Sequence, residues 1–178
     1  MYTTQLPPVR IEGLHKDRQS ITADWQPYDQ PRIDGVMVRE MKHVLKNNGH
    51  LTEIYRRDWQ LDDQPVDQVF QVILRPGGLS AWHMHQLTTD RLFVSFGTLK
   101  IVLFDPRPDS PTYGLLNEFR VSELRPQLIV VPPQVIHGVQ NIGTDMAILL
   151  NMVDQAYAYE SPDHWRLPHP HPVVPYQF

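Results

Sequence analysis

The alternation of apolar and polar positions divides most of the chain into short segments separated by turn signals. From residue 69 onward, apolar segments of five to eight residues recur between clusters of Gly, Pro and Asn. Segments of this length, rich in β-branched and aromatic side chains, are typical of β-strands. The strands predicted in this way cover residues 69–74, 79–85, 92–96, 99–104, 117–121, 127–131, 135–140 and 146–153.

An earlier segment, residues 36–44, alternates apolar and polar side chains as a half-buried strand does, and the turn signal at 47–49 separates it from a short segment at 51–55. The seventeen prolines are spread along the chain and argue against helices, because proline inside a helix removes a donor and clashes. The series of strands therefore predicts an all-β sandwich or barrel.

The length of 178 residues fits one domain with flanking segments. We divide the chain into an N-terminal arm, residues 1–30, with a short strand near 9–11; a β-barrel domain, residues 31–154; and a Pro- and His-rich C-terminal extension, residues 155–178. The alternating His and Pro at 168–172 would suit a weak metal-binding tract. A tail of this kind more often packs over the barrel or over a partner subunit.

Composition excludes several classes of function. The net charge of −4 and the pI of about 6.1 give no footprint for nucleic acid or for an anionic membrane. No apolar run approaches the length of a membrane span, and the N-terminus lacks the pattern of a signal peptide. Cysteine is absent, so neither a disulfide framework nor a thiolate nucleophile is available. We expect a cytoplasmic protein.

Metal-ligand side chains occur in two segments far apart in the sequence. His83 and His85 are two residues apart on a predicted strand, so both side chains point to the same face. Asp90 follows after a turn, and His137 lies within a later apolar segment. Three imidazoles and one carboxylate suit a divalent transition metal. The alternative is that the paired histidines occur by chance or form an ordinary polar face.

The spacing of these residues resembles the two motifs of the cupin superfamily. That pattern has an HxH, a carboxylate, a Gly seven residues later, and then a Pro-rich turn with a His and an Asn. Gly97 and Asn141 complete it here, while Asp90 replaces the usual Glu and Gln134 the usual Gly. The resemblance implies a double-stranded β-helix, the cupin jelly roll. It also implies a metal, Fe, Mn, Ni or Zn, bound by His83, His85, Asp90 and His137.

A second resemblance is more specific. Residues 105–114 read DPRPDSPTYG and resemble the D-x-R-x-x-S-P-T-[YF]-G segment of the dTDP-4-dehydrorhamnose 3,5-epimerases. Residues 131–138 and 49–53 resemble two further segments of that family. The resemblance implies a jelly roll that usually forms a homodimer by exchanging N-terminal strands. It also implies action on nucleotide-linked 4-keto-6-deoxy sugars.

The family's catalytic residues carry over only in part. Its general-base His matches His83. The Lys that contacts the keto oxygen falls near Asp90 or Arg91, its catalytic Tyr falls near Asn151, and the Asp that orients the base falls at Leu167. Abstraction of a proton next to a ketone needs both a base and an electrophile for the developing enolate. A metal ion would replace the missing Lys as the electrophile.

Three further residues are candidates for contact with substrate. Glu53 matches a family Glu and would bind the nucleotide base, although a solvated strand residue fits equally. Arg91 lies near the position of the family's Lys. Arg107 would clamp a diphosphate, unless it pairs with Asp105 or Asp109 to hold its loop.

The sequence thus predicts a metal-dependent cupin related to the sugar epimerases, which epimerises or isomerises a keto sugar linked to a nucleotide. One alternative is a cupin dioxygenase or decarboxylase acting on a small organic acid, since such ligand sets host Fe(II) chemistry. Another is a non-catalytic cupin that binds a sugar or a metal. Fold alone does not choose among these functions.

Overall fold

The computed structural model describes residues 9–23, 28 and 31–178. The chain separates into two compact units, residues 1–31 and 32–178. Within the first unit, parts of the predicted arm (1–8, 24–27 and 29–30) lie outside the described residues. The predicted strand at 9–11 is wrong, since these residues adopt no strand. Val9 and Ile11 are each more than 60% exposed, so among the described residues the short apolar pattern has no surface to pack on.

The regular secondary structure of the second unit is strand, apart from one short 3₁₀ turn at Arg57–Trp59. Its strands within the described residues are β1 (Met37–Glu40), β2 (His43–Lys46), β3 (Gly49–Thr52), β4 (Gln68–Leu74), β5 (Leu79–Met84), β6 (Asp90–Phe96), β7 (Thr98–Phe104), β8 (Leu116–Ser122), β9 (Gln127–Val131), β10 (Ile136–Asn141), β11 (Ala147–Val153) and β12 (Trp165–Arg166).

These strands form two five-stranded antiparallel sheets. The order in one, here called the β5 sheet, is β12-β5-β10-β7-β8, and the order in the other, the β6 sheet, is β1-β9-β6-β11-β4. Strands β2 and β3 form a separate hairpin. Apart from β7 and β8, neighbouring strands in the two sheets are not consecutive in sequence, as in a jelly roll. The predicted all-β jelly roll is confirmed.

The main core lies between the two sheets. It consists of alternate side chains from both, including Leu99, Ile101 and Leu103 of β7 and Leu92 and Val94 of β6. The alternation predicted from sequence places every second residue of these strands in the core. One end of this same interior carries the polar side chains described below.

The outer face of the β5 sheet is covered by the end of the chain. Trp82, which points away from the neighbouring His83, packs in a second cluster with Val174, Tyr176 and Phe178. The Trp82 ring lies 4.9 Å from the Phe178 ring, centroid to centroid. The C-terminal extension therefore supplies apolar side chains to the sheet that bears the two histidines of β5.

The strand predicted at 36–44 is interrupted in the structure. Met41 lies between β1 and β2, and its N–H donates to the carbonyl of Pro126 instead of continuing a ladder. Its side chain packs in a third cluster on the outer face of the β6 sheet, beneath residues 54–66. Within the described residues, no helix is both long and apolar enough to span a membrane.

Candidate active site

The candidate site lies at one end of the interior, where the two sheets face each other. His83 on β5 pairs in register with His137 on β10, and His85 follows β5 directly. Asp90 begins β6 on the opposite sheet and pairs with Val131, a member of the interior core. Since paired residues of antiparallel strands point to the same face, all four side chains are directed into the interior.

Three of the four predicted metal ligands converge. Nε2 of His85 lies 3.4 Å from Oδ2 of Asp90, and Nε2 of His137 lies 3.5 Å from the same oxygen. One ligand atom from each of the three residues lies within 4.8 Å of the others. All three side chains are buried. Two imidazoles and a carboxylate on one point form a donor set that suits a divalent transition metal.

The second ring nitrogens fix the tautomers of both histidines. Nδ1 of His85 contacts the carbonyl of Asp163, and Nδ1 of His137 lies 3.2 Å from the carbonyl of Val135. A carbonyl only accepts, so each Nδ1 carries the hydrogen. Burial lowers the pKa of His137 although Asp90 acts to raise it. The neutral ring of His137 therefore directs the lone pair of Nε2 toward the carboxylate of Asp90. A cation between these two acceptors could bind both.

His83 stays apart from this group. Its Nε2 lies 2.8 Å from Oγ of Ser80, and its ring centroid is 5.7 Å from that of His137. Burial, and then the neighbouring His137 and Arg166, lower the pKa of His83 to about 3. The structure thus places the predicted base in its neutral form beside the ligand group. As a predicted fourth ligand it is displaced, because Ser80 engages the nitrogen that would face an ion.

The loop between His85 and Asp90 is held by carboxylates of the later chain. Asp163 accepts hydrogen bonds of 2.8–3.0 Å from the backbone N–H groups of residues 86–88 and from the hydroxyl of Thr88. Asp154 accepts the N–H of Thr89 at 2.9 Å. Four successive amides are therefore satisfied by two side chains, which sets the separation of His85 and Asp90.

Sequence reasoning missed this contribution of the C-terminal extension. Strand β12 pairs with β5, so that Arg166 lies opposite His83. The ring of His164 stacks on that of His85 at 4.7 Å, and the ring of Tyr157 lies 6.0 Å from His164. The only sequence signal was the unusual density of His and aromatic residues after position 155, which does not say where they pack.

Each of the three predicted substrate-binding residues forms an ion pair with another residue of the protein. Arg91 is fully buried and bonded to Asp62, so it is closed to a substrate, contrary to the sequence prediction. Its guanidinium also donates to the carbonyls of residues 64 and 152. Glu53 is exposed and pairs with Arg56.

Arg107 holds the Pro-rich loop of residues 105–114. Its Nε donates to Oδ1 of Asp105 at 2.8 Å, and the hydroxyls of Ser110 and Thr112 donate to the other oxygen of the same carboxylate. Burial raises the pKa of Asp105, but these hydrogen bonds prevail and hold it well below its usual range. Of the two sequence interpretations of Arg107, this geometry fits the structural one.

Known proteins resemble this chain in sequence and in fold. A family model for dTDP-4-dehydrorhamnose 3,5-epimerase matches residues 30–174. A probable low-salt glycan biosynthesis epimerase of Haloferax volcanii is 33% identical over 140 residues, which cover 78% of this chain and 90% of the relative.

Two solved structures extend the comparison. A dTDP sugar isomerase of Desulfovibrio desulfuricans superposes with a TM-score of 0.76 at 25% identity, covering 82% of this chain and 91% of the other. A dTDP-6-deoxy-D-glucose-3,5-epimerase of Legionella pneumophila, in complex with dTDP-4-keto-L-rhamnose, superposes with a TM-score of 0.72 at 19% identity, covering 81% of this chain and 78% of the other. The second likeness concerns the fold alone.

Proposed function

Because the chain belongs to the dTDP-4-dehydrorhamnose 3,5-epimerase family, we propose that it epimerises or isomerises a keto sugar linked to a nucleotide. We further propose that the reaction depends on a divalent transition metal, Fe, Mn, Ni or Zn, bound by His85, Asp90 and His137. The observation that carries this proposal is the neutral His83 beside a buried group of two imidazoles and a carboxylate.

His83 has the role of the base. The carbon next to a ketone is acidic enough to lose a proton to a well-placed imidazole, and return of a proton on the opposite face inverts that centre. His83 is directed into the interior with one nitrogen toward the hydroxyl of Ser80. A hydroxyl both donates and accepts, so it orients the ring whichever nitrogen carries the hydrogen. Ser80 thereby takes over the orienting role of the family's Asp, which is Leu167 here.

The enolate formed by this step needs a positive partner. The family's Lys is absent, and Arg91 is paired with Asp62 and out of reach. When bound, a metal ion supplies a Lewis acid for the carbonyl oxygen. Two imidazoles and one carboxylate leave coordination positions open for that oxygen. The residues present therefore fit a metal and a substrate together.

The relatives support the class of substrate. The Desulfovibrio neighbour is a dTDP sugar isomerase, and the Haloferax relative is named as a glycan biosynthesis epimerase.

One observation favours a second candidate function. A set of two histidines and one carboxylate with open positions is also the ligand set of non-haem Fe(II) oxygenases. A dioxygenase or decarboxylase acting on a small organic acid would use the same three residues, and His83 would then have no role as a base.

The test follows solvent deuterium in dTDP-4-keto-6-deoxyglucose, incubated in D₂O and observed by NMR. We expect deuterium at the carbons flanking the ketone, loss of exchange on chelation, and recovery with one of the four metals. His83→Gln should retain the metal, measured by elemental analysis, and lose exchange. His137→Gln should lose both. Exchange that survives complete metal removal contradicts the metal half alone. Oxygen uptake with Fe(II), in the absence of exchange, supports the second candidate.

We also propose that the protein acts as a homodimer. The outward face of the β6 sheet exposes several apolar side chains, among them Val69, Ile73 and Phe96, which are each at least 50% exposed. Contiguous apolar surface of this kind is typical of an interface between proteins. Light scattering after size exclusion measures the mass directly, and a monomer at micromolar concentration contradicts this part of the proposal.

A further inference from the structure

The cations predicted to contact the substrate are engaged elsewhere. Arg91 is buried against Asp62, and Arg107 is closed onto Asp105 within its own loop. A nucleotide-linked sugar carries two phosphate groups, and a site that binds it needs at least one available cation near the sugar. We therefore expect such a cation beside His83.

Arg166 occupies such a position. On β12 it pairs with His83 of β5, and paired residues of antiparallel strands direct their side chains to the same face. The residue is exposed.

No carboxylate near the site neutralises Arg166. The side chain has no hydrogen bond or ion pair with any residue in the described part of the chain. The nearest acidic residue in sequence, Asp163, already accepts four hydrogen bonds from the loop at 86–88. Asp90 is buried against His85 and His137. An exposed guanidinium without a counter-charge at the edge of a site is suited to an anionic ligand.

We propose that Arg166 binds the diphosphate of the nucleotide-linked substrate. This inference rests on the proposed function, and it assigns a residue from the C-terminal extension to the binding of that substrate. A guanidinium donates two parallel hydrogen bonds to phosphate oxygens, which fixes orientation as well as affinity. Adjacent strands lie roughly 4.8 Å apart. That spacing is comparable with the width of a pyranose ring, so a sugar anchored at Arg166 by its diphosphate presents its ring to His83.

The experiment measures binding by calorimetry with three probes: dTDP, inorganic pyrophosphate and thymidine. The variants are Arg166→Gln, Arg166→Lys and, as a matched control, Arg120→Gln, which removes an exposed arginine paired with Glu118 on the distant strand β8. We expect Arg166→Gln to weaken dTDP and pyrophosphate roughly 10- to 100-fold, the range of hydrogen bonds to charged groups. Thymidine, which lacks phosphate, should bind as before. Arg166→Lys should fall between wild type and Arg166→Gln, and the control should match wild type.

Two outcomes overturn the inference: unchanged affinity of Arg166→Gln for dTDP and pyrophosphate, or a wild-type protein that binds neither. A separate assay of wild-type deuterium exchange distinguishes the inference from the proposed function. Exchange with unchanged binding in Arg166→Gln leaves the function and removes the role of Arg166. Binding that depends on Arg166, without exchange, leaves the anion site and removes the epimerase. Thermal unfolding confirms that the exposed substitution leaves the fold intact.

Discussion

The side-chain amide of Asn151 donates a hydrogen bond of 2.7 Å to Oδ1 of Asp90, across two neighbouring strands of the β6 sheet. The amide oxygen of the same residue accepts the backbone N–H of Arg91 at 3.1 Å. Asn151 is thereby fixed at both ends, and it fixes in turn which oxygen of Asp90 faces the histidines. Oδ2 is left for His85 and His137.

Replacing Asn151 by Leu, which has a similar volume, should loosen the proposed metal site. Oδ1 of Asp90 would lose its buried partner, which costs roughly 1–3 kcal/mol in the free energy of unfolding. Loss of an outer hydrogen bond to a ligand typically lowers metal affinity about 10- to 100-fold. Titration with Co²⁺, followed by its visible absorption, measures the affinity. Asn141→Leu is the control, because Asn141 is equally buried but bonds only to backbone groups near residues 74 and 143–145. Equal affinity in the two variants would refute the role of Asn151.

Removing the carboxylate of Asp163 should disturb the site without unfolding the barrel. In Asp163→Ala the amides of residues 86–88 lose their acceptor, so the loop that spaces His85 and Asp90 becomes free to move. We expect Co²⁺ affinity to fall at least tenfold, by the same reasoning for groups that orient ligands. Asp67→Ala is matched to it, since Asp67 accepts a single N–H, that of Ala156, also in the C-terminal extension. A similar loss of affinity in both variants would mean that the effect is general destabilisation.

The hydrogen bonds that close the loop at Asp105 should make the free energy of unfolding depend on pH in the acid range. Burial acts to raise the pKa of Asp105, but hydrogen bonds from Arg107, Ser110 and Thr112 hold it far below its usual range in the folded protein. The unfolded chain therefore binds this proton more readily, so the stabilisation is complete above about pH 4 and is lost as the pH falls below that value. Urea unfolding between pH 2 and pH 7 measures this. Asp105→Asn should be less stable at pH 7 and should lose less stability on acidification. Parallel pH profiles for the two proteins would contradict the assignment.

A methyl group at position 97 should be poorly tolerated. Gly97 has φ of +77°, and an added Cβ would lie 2.7 Å from the carbonyl oxygen of Met146 and 2.8 Å from Cα of Ala147. The left-handed conformation alone costs roughly 1–2 kcal/mol for an L-residue. Gly97→Ala should lose more than this in the free energy of unfolding. Gly77→Ala is the control, because Gly77 has φ of +71° with no atom within 4 Å of the added Cβ. If the two variants are equally stable, the close approach to β11 has no energetic weight.

The sequence predicted the strands from residue 69 to 153 because burial of alternate residues leaves a repeated pattern, and β4 to β11 follow it to within one or two positions. Strand β12 was not predicted, because a segment of two residues is too short to show an alternation of apolar and polar side chains. It forms through long-range backbone pairing: the N–H of Trp82 donates to the carbonyl of Leu167, and the N–H of Leu167 donates to the carbonyl of Trp82. The break at Met41 was also invisible, since it depends on a bond to the carbonyl of Pro126.

For the candidate site, spacing within one strand carried most of the information. The alternation that places His83 and His85 on one face is a local property, and so is the turn that brings Asp90 back. The position of Asp163 depends on how a chain of more than seventy residues returns to β5, which no local pattern records. The pairing of Arg91 with Asp62, and of Arg107 with Asp105, likewise follows from neighbours in space. A charged side chain that could bind a ligand can equally form an ion pair with a side chain of opposite charge in the protein.

The carboxylates of Asp154 and Asp163 accept hydrogen bonds from the amides of residues 86–89. In the sequence, both residues follow almost all of the barrel strands. A growing polypeptide that has just completed β11 already contains His85, Asp90 and His137, together with both sheets except β12. It lacks Asp163 and the carbonyl that receives Nδ1 of His85. The proposed ligands are therefore synthesised before the residues that fix their geometry. Asp154 and Asp163, which are translated after the three proposed ligands, thus fix the loop that spaces His85 and Asp90.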